Sequence, residues 1–177
     1  MVNRVEAVDM ETIAVYWEAK IKTYGFTLDC GQSLVRVWIP ENRLASCGRL
    51  CGDLAHTFST FRFTFMTAGA GGADIGFLFA ADSGNRFAAH LERQITVDAD
   101  MRVAVVSPLD TVTFYGPHFQ DRFGIAHAAC DALTTAGIAP TAAVCSGSTA
   151  CLVLAGGIGE AAVVALRKAF RIPGEKE

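Results

Sequence analysis

The chain has 177 residues, with 15 Lys and Arg against 18 Asp and Glu, which gives a formal net charge of −3. Hydrophobic residues make up 51% of it, enough to build one medium-sized core or two small ones. No basic run interleaves with aromatic residues and no apolar stretch is long and unbroken, so we expect a cytoplasmic protein with no nucleic-acid partner, membrane span or signal peptide.

The first half of the chain has a β-α-β-β-α pattern. Hydrophobic spacing predicts a strand over residues 34–39, a helix from Pro40 to about residue 57, strands over 60–67 and 74–81, and a helix over 85–95. A strand over 101–106 follows. The glycine-rich residues 69–72 predict a mobile hairpin loop or a docking point for a partner.

The second half repeats this order. It contains a predicted strand over residues 111–115, a helix over 125–136, strands over 139–146 and 149–155, and a helix over 159–170, with Pro117 at the point that Pro40 occupies in the first half. A ferredoxin-like β-α-β-β-α-β unit needs one strand more, and the segment 19–28 is the available donor. Residues 10–17 are either helix or strand, and their alternation slightly favours strand.

These patterns predict an α+β fold of two ferredoxin-like domains, the first inserted in the second. The first domain covers residues 30–107, and the second covers 1–29 and 108–177, with an N-terminal strand that completes its sheet. The two domains are therefore expected to be interlocked.

The turn over residues 115–126 is the most informative segment. It ends an apolar strand and begins an amphipathic helix at Ile125. The first N–H groups of a helix have no partner within it and carry partial positive charge, so this turn suits the carboxylate of a small ligand. Gly124 allows close approach of a ligand or a second backbone.

The six cysteines show no paired CxxC spacing, and we interpret them as small buried hydrophobic residues. Cys47 and Cys51 lie one helical turn apart and His56 follows, but a structural zinc needs four ligands, so no metal site is expected. Gly48 and Gly52 share the same spacing and are interpreted as points of close helix packing. The cysteines are Cys30, Cys47, Cys51, Cys130, Cys145 and Cys151.

The second half resembles the paired ACT domains that form the regulatory region of aspartokinases. The residues that carry the resemblance are the glycine-flanked loop 116–126, the helix end Leu133-Thr-Thr-Ala-Gly-Ile138, the serine-containing turn 145–148 and the closing helix 165–173. The first half departs from the family pattern, because Glu41-Asn42-Arg43 keeps an acidic residue but lacks the glycine. Whether that first-half site is functional stays open. The sequence contains no counterpart of the kinase half, so a stand-alone regulatory region is expected.

The resemblance implies an amino acid or related carboxylate bound at an interface between ACT units. The backbone N–H groups of Gly124 to Ala126 would take the carboxylate, and Asp121 or Gln120 the α-ammonium. Asp121 has an alternative role at the helix N-terminus, and His118 an alternative as a solvent-facing loop residue. The expected ligand-binding residues are His118, Phe119, Gln120, Asp121, Gly124, Ile125, Ala126, Ser146 and Ser148.

Three classes of function are compared. The leading hypothesis is an amino-acid sensor that forms a homodimer and regulates a client metabolic enzyme. The alternative is a ligand-free oligomerisation or protein-interaction module whose sheet edges pair with a partner. An enzyme is not expected, since the four histidines are scattered and His127, near Cys130 and Asp131 on one helix, is the nearest approach to a catalytic group. No catalytic residue or cofactor is predicted.

Overall fold

The computed structural model describes residues 19–58, 61–95, 100–117, 119–120 and 122–174. The strands and helices follow one another in the order β1 (Ile21–Lys22), β2 (Gly25–Pro40), α1 (Leu44–Thr57), β3 (Phe63–Gly69), β4 (Gly72–Ala80), α2 (Ala81–Ile95), β5 (Arg102–Tyr115), α3 (Ile125–Thr135), β6 (Ala142–Ser146), β7 (Thr149–Ala155), α4 (Gly159–Leu166) and β8 (Phe170–Arg171). A short 3-10 helix, Glu41–Arg43, precedes α1. None of the described helices is long and apolar enough to cross a membrane.

Six strands form one sheet in the order β3-β4-β2-β5-β7-β6. All neighbouring strands in it are antiparallel. Strands β1 and β8 form a separate parallel pair, in which Ile21 lies beside Phe170. The mixture of helices with an antiparallel sheet confirms the α+β class.

The two long central strands, β2 and β5, pair with each other along most of their length. Residues 25–29 of β2 lie against 111–115 of β5, and residues 34–38 lie against 102–106. The register shifts between Asp29 and Leu34, where Gly31 has a positive φ of 68°. Separate strands were predicted at 19–28 and 34–39, and at 101–106 and 111–115. This was wrong, because residues 25–28 and 34–39 belong to the one strand β2, and residues 102–106 and 111–115 belong to the one strand β5.

Each half of the chain has its own hydrophobic core between strands and helices. In the first half, helices α1 and α2 contribute Leu54, Phe87 and Leu91 against Val35, Val37, Phe77 and Phe79. In the second half, helices α3 and α4 contribute Leu133 and Leu166 against Val112, Phe114 and Leu152. A small third cluster, on the opposite side of the strands, joins the halves through Leu34, Leu78, Leu109 and Val153.

Several predicted boundaries change. Helix α2 begins at Ala81, four residues before its predicted start, and α4 ends at Leu166, where a helix to residue 170 was predicted. The chain turns after α4 because Phe170 is buried, with its ring centroid 4.9 Å from that of Phe114. The expected mobile loop at 69–72 is a two-residue turn, in which Gly69 pairs with Gly72. The prediction for residues 10–17 lies outside the described residues.

Candidate functional site

The connection between β5 and α3 is a loop of nine residues, 116–124. Its first residue must be glycine, because a Cβ on Gly116 would overlap the carbonyl oxygen of Lys22 and the ring of Phe119. Phe119 is 7% exposed and packs edge-on against Phe114, with ring centroids 6.0 Å apart. Its side chain therefore packs in the core and anchors the loop there, and it is too buried to contact a ligand. His118 and Asp121 lie outside the described residues.

The N-terminus of α3 follows this loop, and its N-cap residue makes no side-chain capping hydrogen bond. Gly124 is its N-cap residue, in the left-handed conformation with φ 85°, and its carbonyl accepts the N–H of Ala128 at 2.9 Å. The N–H groups of Ile125 and Ala126 precede that first helical hydrogen bond. The side chain of Ile125 is buried in the core, which fixes the direction of the helix, whereas Ala126 is exposed.

The N-terminus of α4 provides an internal comparison. Asp110 of β5 is 3% exposed, and its Oδ2 accepts the N–H groups of Gly157 at 2.8 Å and Gly159 at 3.0 Å. A carboxylate of the protein itself thus occupies the anion position at this helix. No described carboxylate is bonded in this way to the N-terminus of α3.

The turn between β6 and β7 lies beside the loop. A Cβ placed on Gly147 would be 3.8 Å from Nε2 of Gln120, so the loop and this turn are in contact distance. Ser146 and Ser148 are exposed at the same turn, and so is Gln120. The structure therefore brings together three of the polar residues that the sequence singled out.

The N-terminal segment is a neighbour of the loop that the sequence analysis did not include in the site. Tyr24 N–H donates to the carbonyl of Tyr115 at 2.9 Å, and the hydroxyl of Thr23 donates to the same carbonyl at 2.7 Å. The two tyrosine rings lie 5.4 Å apart, and both are at least half exposed. The apolar residues of segment 19–28 indicated a strand, but only its register with β5 brings Tyr24 to the loop.

The corresponding turn in the first half is closed, in the sense that it is short and its first N–H group already has a hydrogen-bond acceptor within the chain. Only the three residues of the 3-10 helix, Glu41–Arg43, separate β2 from α1. The N–H of Glu41 donates to the carbonyl of Gly71 at 2.9 Å, so this turn is tied to the β3–β4 hairpin. A Cβ on Gly72 would overlap the carbonyl oxygen of Ile39, which keeps the hairpin close.

The thiols are less buried than expected. Cys30 and Cys145 are exposed and the other four are half-buried, so the interpretation of all six as buried hydrophobic residues was wrong. Partial desolvation, with a smaller contribution from Cys130, raises the pKa of the Cys145 thiol, although the residue is exposed. No three His, Cys, Asp or Glu side chains within the described ranges converge on a possible metal position.

Neither a protein-family model nor a curated protein sequence matches this chain. Solved structures do. The regulatory subunit of aspartate kinase from Thermus flavus superposes with a TM-score of 0.74 at 13% identity, over 83% of this chain and 97% of that one. Aspartate kinase from Synechocystis gives a TM-score of 0.77 at 21% identity, over 90% of this chain and 29% of that one. E. coli aspartokinase III in complex with lysine and aspartate gives 0.57 at 18% identity, over 82% and 32%.

The similarity to the Thermus flavus protein extends over nearly the whole regulatory subunit, and that protein is named as a regulatory subunit and not as a kinase domain. The sequence resemblance, which depended on the second half alone, is thus confirmed for the fold of both halves. The chain has the fold of the regulatory subunits of aspartate kinase.

Proposed function

We propose that this protein is an amino-acid-binding regulatory module in which the loop 116–124 and the N-terminus of α3 hold the ligand. The observation that supports it best is the difference between two helices of the same half. At α4 the buried carboxylate of Asp110 accepts the first N–H groups, whereas at α3 no described side chain does so. A ligand carboxylate can supply an acceptor for these N–H groups.

The proposed contacts follow from this position. The N–H groups of Gly124 to Ala126 bind the carboxylate, and Gln120 or Asp121 accepts the α-ammonium. Ser146 and Ser148 add hydroxyl contacts from the neighbouring turn, and His118 borders the loop. The closed turn at Glu41, Asn42 and Arg43 supports a stoichiometry of one ligand per chain.

The proposed architecture is two ACT units that share the long strands. The first, residues 30–107, has the strand order β5-β2-β4-β3, and the second, residues 1–29 with 108–177, has the order β2-β5-β7-β6. The two orders are equivalent, because β5, β2, β4 and β3 of the first unit correspond to β2, β5, β7 and β6 of the second. Each long strand thus contributes to both units, which supports an insertion of the first unit in the second. Phe123, within the ligand loop, is 98% exposed, and we propose a homodimer whose partner covers it. A client metabolic enzyme and a cytoplasmic location remain predictions.

The test is a thermal-shift screen of the proteinogenic amino acids at millimolar concentration. A ligand at 100 times its Kd stabilises the folded state by about 2.7 kcal/mol, which corresponds to a rise in Tm of roughly 5 to 10 °C. The variant Gln120→Ala should weaken binding about tenfold through a lost hydrogen bond to a charged group. Asn42→Ala, in the closed first-half turn, is the matched control and should bind normally. Absence of any shift would remove the main support for a sensor.

One observation favours the alternative of a ligand-free interaction module. The outer strand β3, Phe63–Gly69, carries no charged residue and no proline, and Met66 on it is 62% exposed. Charged residues and prolines usually protect the edges of natural sheets, so an edge strand without them can pair with another chain. The test compares the sedimentation of the ligand-free protein with that of its Met66→Lys variant. It distinguishes the two functions, because only an assembly that pairs through the β3 edge would dissociate on this substitution.

A further inference from the structure

Two thiols lie side by side on α1. Cys47 and Cys51 are separated by one helical turn, and their Sγ atoms are 4.0 Å apart. Both side chains are half-buried where α1 packs on the first-half core. The proposed ligand loop lies in the other half of the chain, so this pair of thiols has no part in that site.

The two sulfur atoms are in S–H···S contact, and their separation is close to that of two ligands of one ion. A disulfide bond requires about 2.05 Å, roughly half of the distance between these atoms. Two thiolates bound to one ion at a metal–sulfur distance of about 2.3 Å and a tetrahedral angle lie about 3.8 Å apart, and a wider angle increases this separation. The helix therefore already holds both sulfur atoms at a distance that one bound ion can bridge.

The ligand set selects the class of ion. Within the described part of the chain, no third Cys, His, Asp or Glu joins the two thiols. His56 is exposed and follows Cys51 by five residues, which places it about 140° away around the helix axis. Zinc requires four such ligands, and calcium and magnesium require oxygen. Two thiolates alone suit a soft cation of the copper(I) type.

We propose that Cys47 and Cys51 form a two-thiolate binding site for a soft monovalent cation, of which copper(I) is the representative. On binding, each thiol releases its proton to solvent and each sulfur donates an electron pair to the cation, with no change of oxidation state. The complex carries one negative charge. Cys47 lies in the first turn of α1, where the helix dipole stabilises negative charge.

Protons compete with the cation. Burial, and then the neighbouring Cys47, raises the pKa of the Cys51 thiol. Binding must displace both protons, so it strengthens as the pH rises.

The experiment is an anaerobic titration of the full chain with copper(I), in competition with a chromophoric copper(I) chelator such as bathocuproine disulfonate. We expect one tightly bound ion per chain. Cys47→Ser and Cys51→Ser should each weaken binding roughly 100-fold or more, because half of the ligand set is lost. Cys47→Met, which keeps a soft sulfur donor, should retain part of the affinity. Cys130→Ser and Cys145→Ser are the matched controls and should bind as the parent does.

Three results would overturn the site. The first is tight copper(I) binding that survives both serine substitutions. The second is a loss of copper(I) affinity in the Cys130 or Cys145 controls equal to that in the Cys47 variant. The third is a decrease in the mass of the protein by two hydrogens, which reports a disulfide. Circular dichroism and Tm establish that each variant is folded. The amino-acid thermal shift of Cys47→Ser should equal that of the parent, so failure of either proposal is visible independently of the other.

Discussion

At the scale of single residues, Asp110 provides the hydrogen-bond acceptor at the N-terminus of α4. It lies on a central strand, is almost fully buried, and accepts two backbone N–H groups of the α4 turn. A buried carboxylate with two such bonds satisfies donors that the helix itself leaves without partners. The residue is therefore structural, and it also closes this helix end to ligands.

Asp110→Ala should lower the free energy of unfolding by about 1 to 3 kcal/mol, because the N–H groups of Gly157 and Gly159, the second of them buried, lose their acceptor. Urea denaturation measures this change. Asp74→Ala is the control, since Asp74 forms an exposed ion pair with Arg36 at 2.9 Å that contributes about 0 to 1 kcal/mol. Equal losses in the two variants would contradict the role of Asp110.

At the scale of elements, α1 carries two glycines without a packing reason. A Cβ on Gly48 or Gly52 would meet no atom of the described residues within 4 Å, so the prediction of close helix packing at these positions was wrong. Both residues are exposed. Each glycine therefore lowers the stability of the helix through backbone entropy without a compensating contact.

Gly48→Ala and Gly52→Ala should each raise the stability of the protein by up to about 1 kcal/mol, the difference in helix propensity between glycine and alanine. The measurement is the midpoint of urea unfolding at an unchanged m-value. Gly72→Ala is the contrasting variant and should be strongly destabilising, since its Cβ would overlap the backbone of Ile39 and Pro40. Destabilisation by the helix substitutions would indicate a neighbour of α1 outside the described residues.

At the scale of the whole molecule, the N-terminal segment belongs to the second half. Residues 25–29 pair with 111–115 of β5, and β1 pairs with β8. Phe26 packs against Phe114 and Phe170, at centroid distances of 5.4 Å and 6.4 Å. A fragment that begins after residue 29 therefore lacks one sheet strand and part of the second core.

Residues 108–177 alone should not fold cooperatively, whereas the same fragment followed by a flexible linker and residues 19–29 should. The fragment 30–107 is the control, because it keeps its four strand segments and both helices. Far-UV circular dichroism during thermal unfolding checks all three. A cooperative transition in residues 108–177 without the added segment would contradict the shared-strand architecture.

Much of this fold followed from local pattern. The alternation of apolar residues predicted the strands of both halves, and the repeat indicated that the second half lacks a strand. The loop at 116–124 was also predictable, because Gly116, Pro117 and Gly124 interrupt the pattern between a strand and a helix. These features depend on residues close in sequence, and so they are readable without coordinates.

The amino-acid sequence by itself determined the types of element, their order and the position of the long strand-to-helix loop 116–124. Only the tertiary structure decided that β2 and β5 run unbroken through both halves, that Phe119 lies in the core, and that Asp110 fills one helix N-terminus while the other is left without a described cap. The physical reason is sequence separation. Asp110 and Gly159 are far apart along the chain, and no local periodicity reports which distant donor a buried carboxylate will meet.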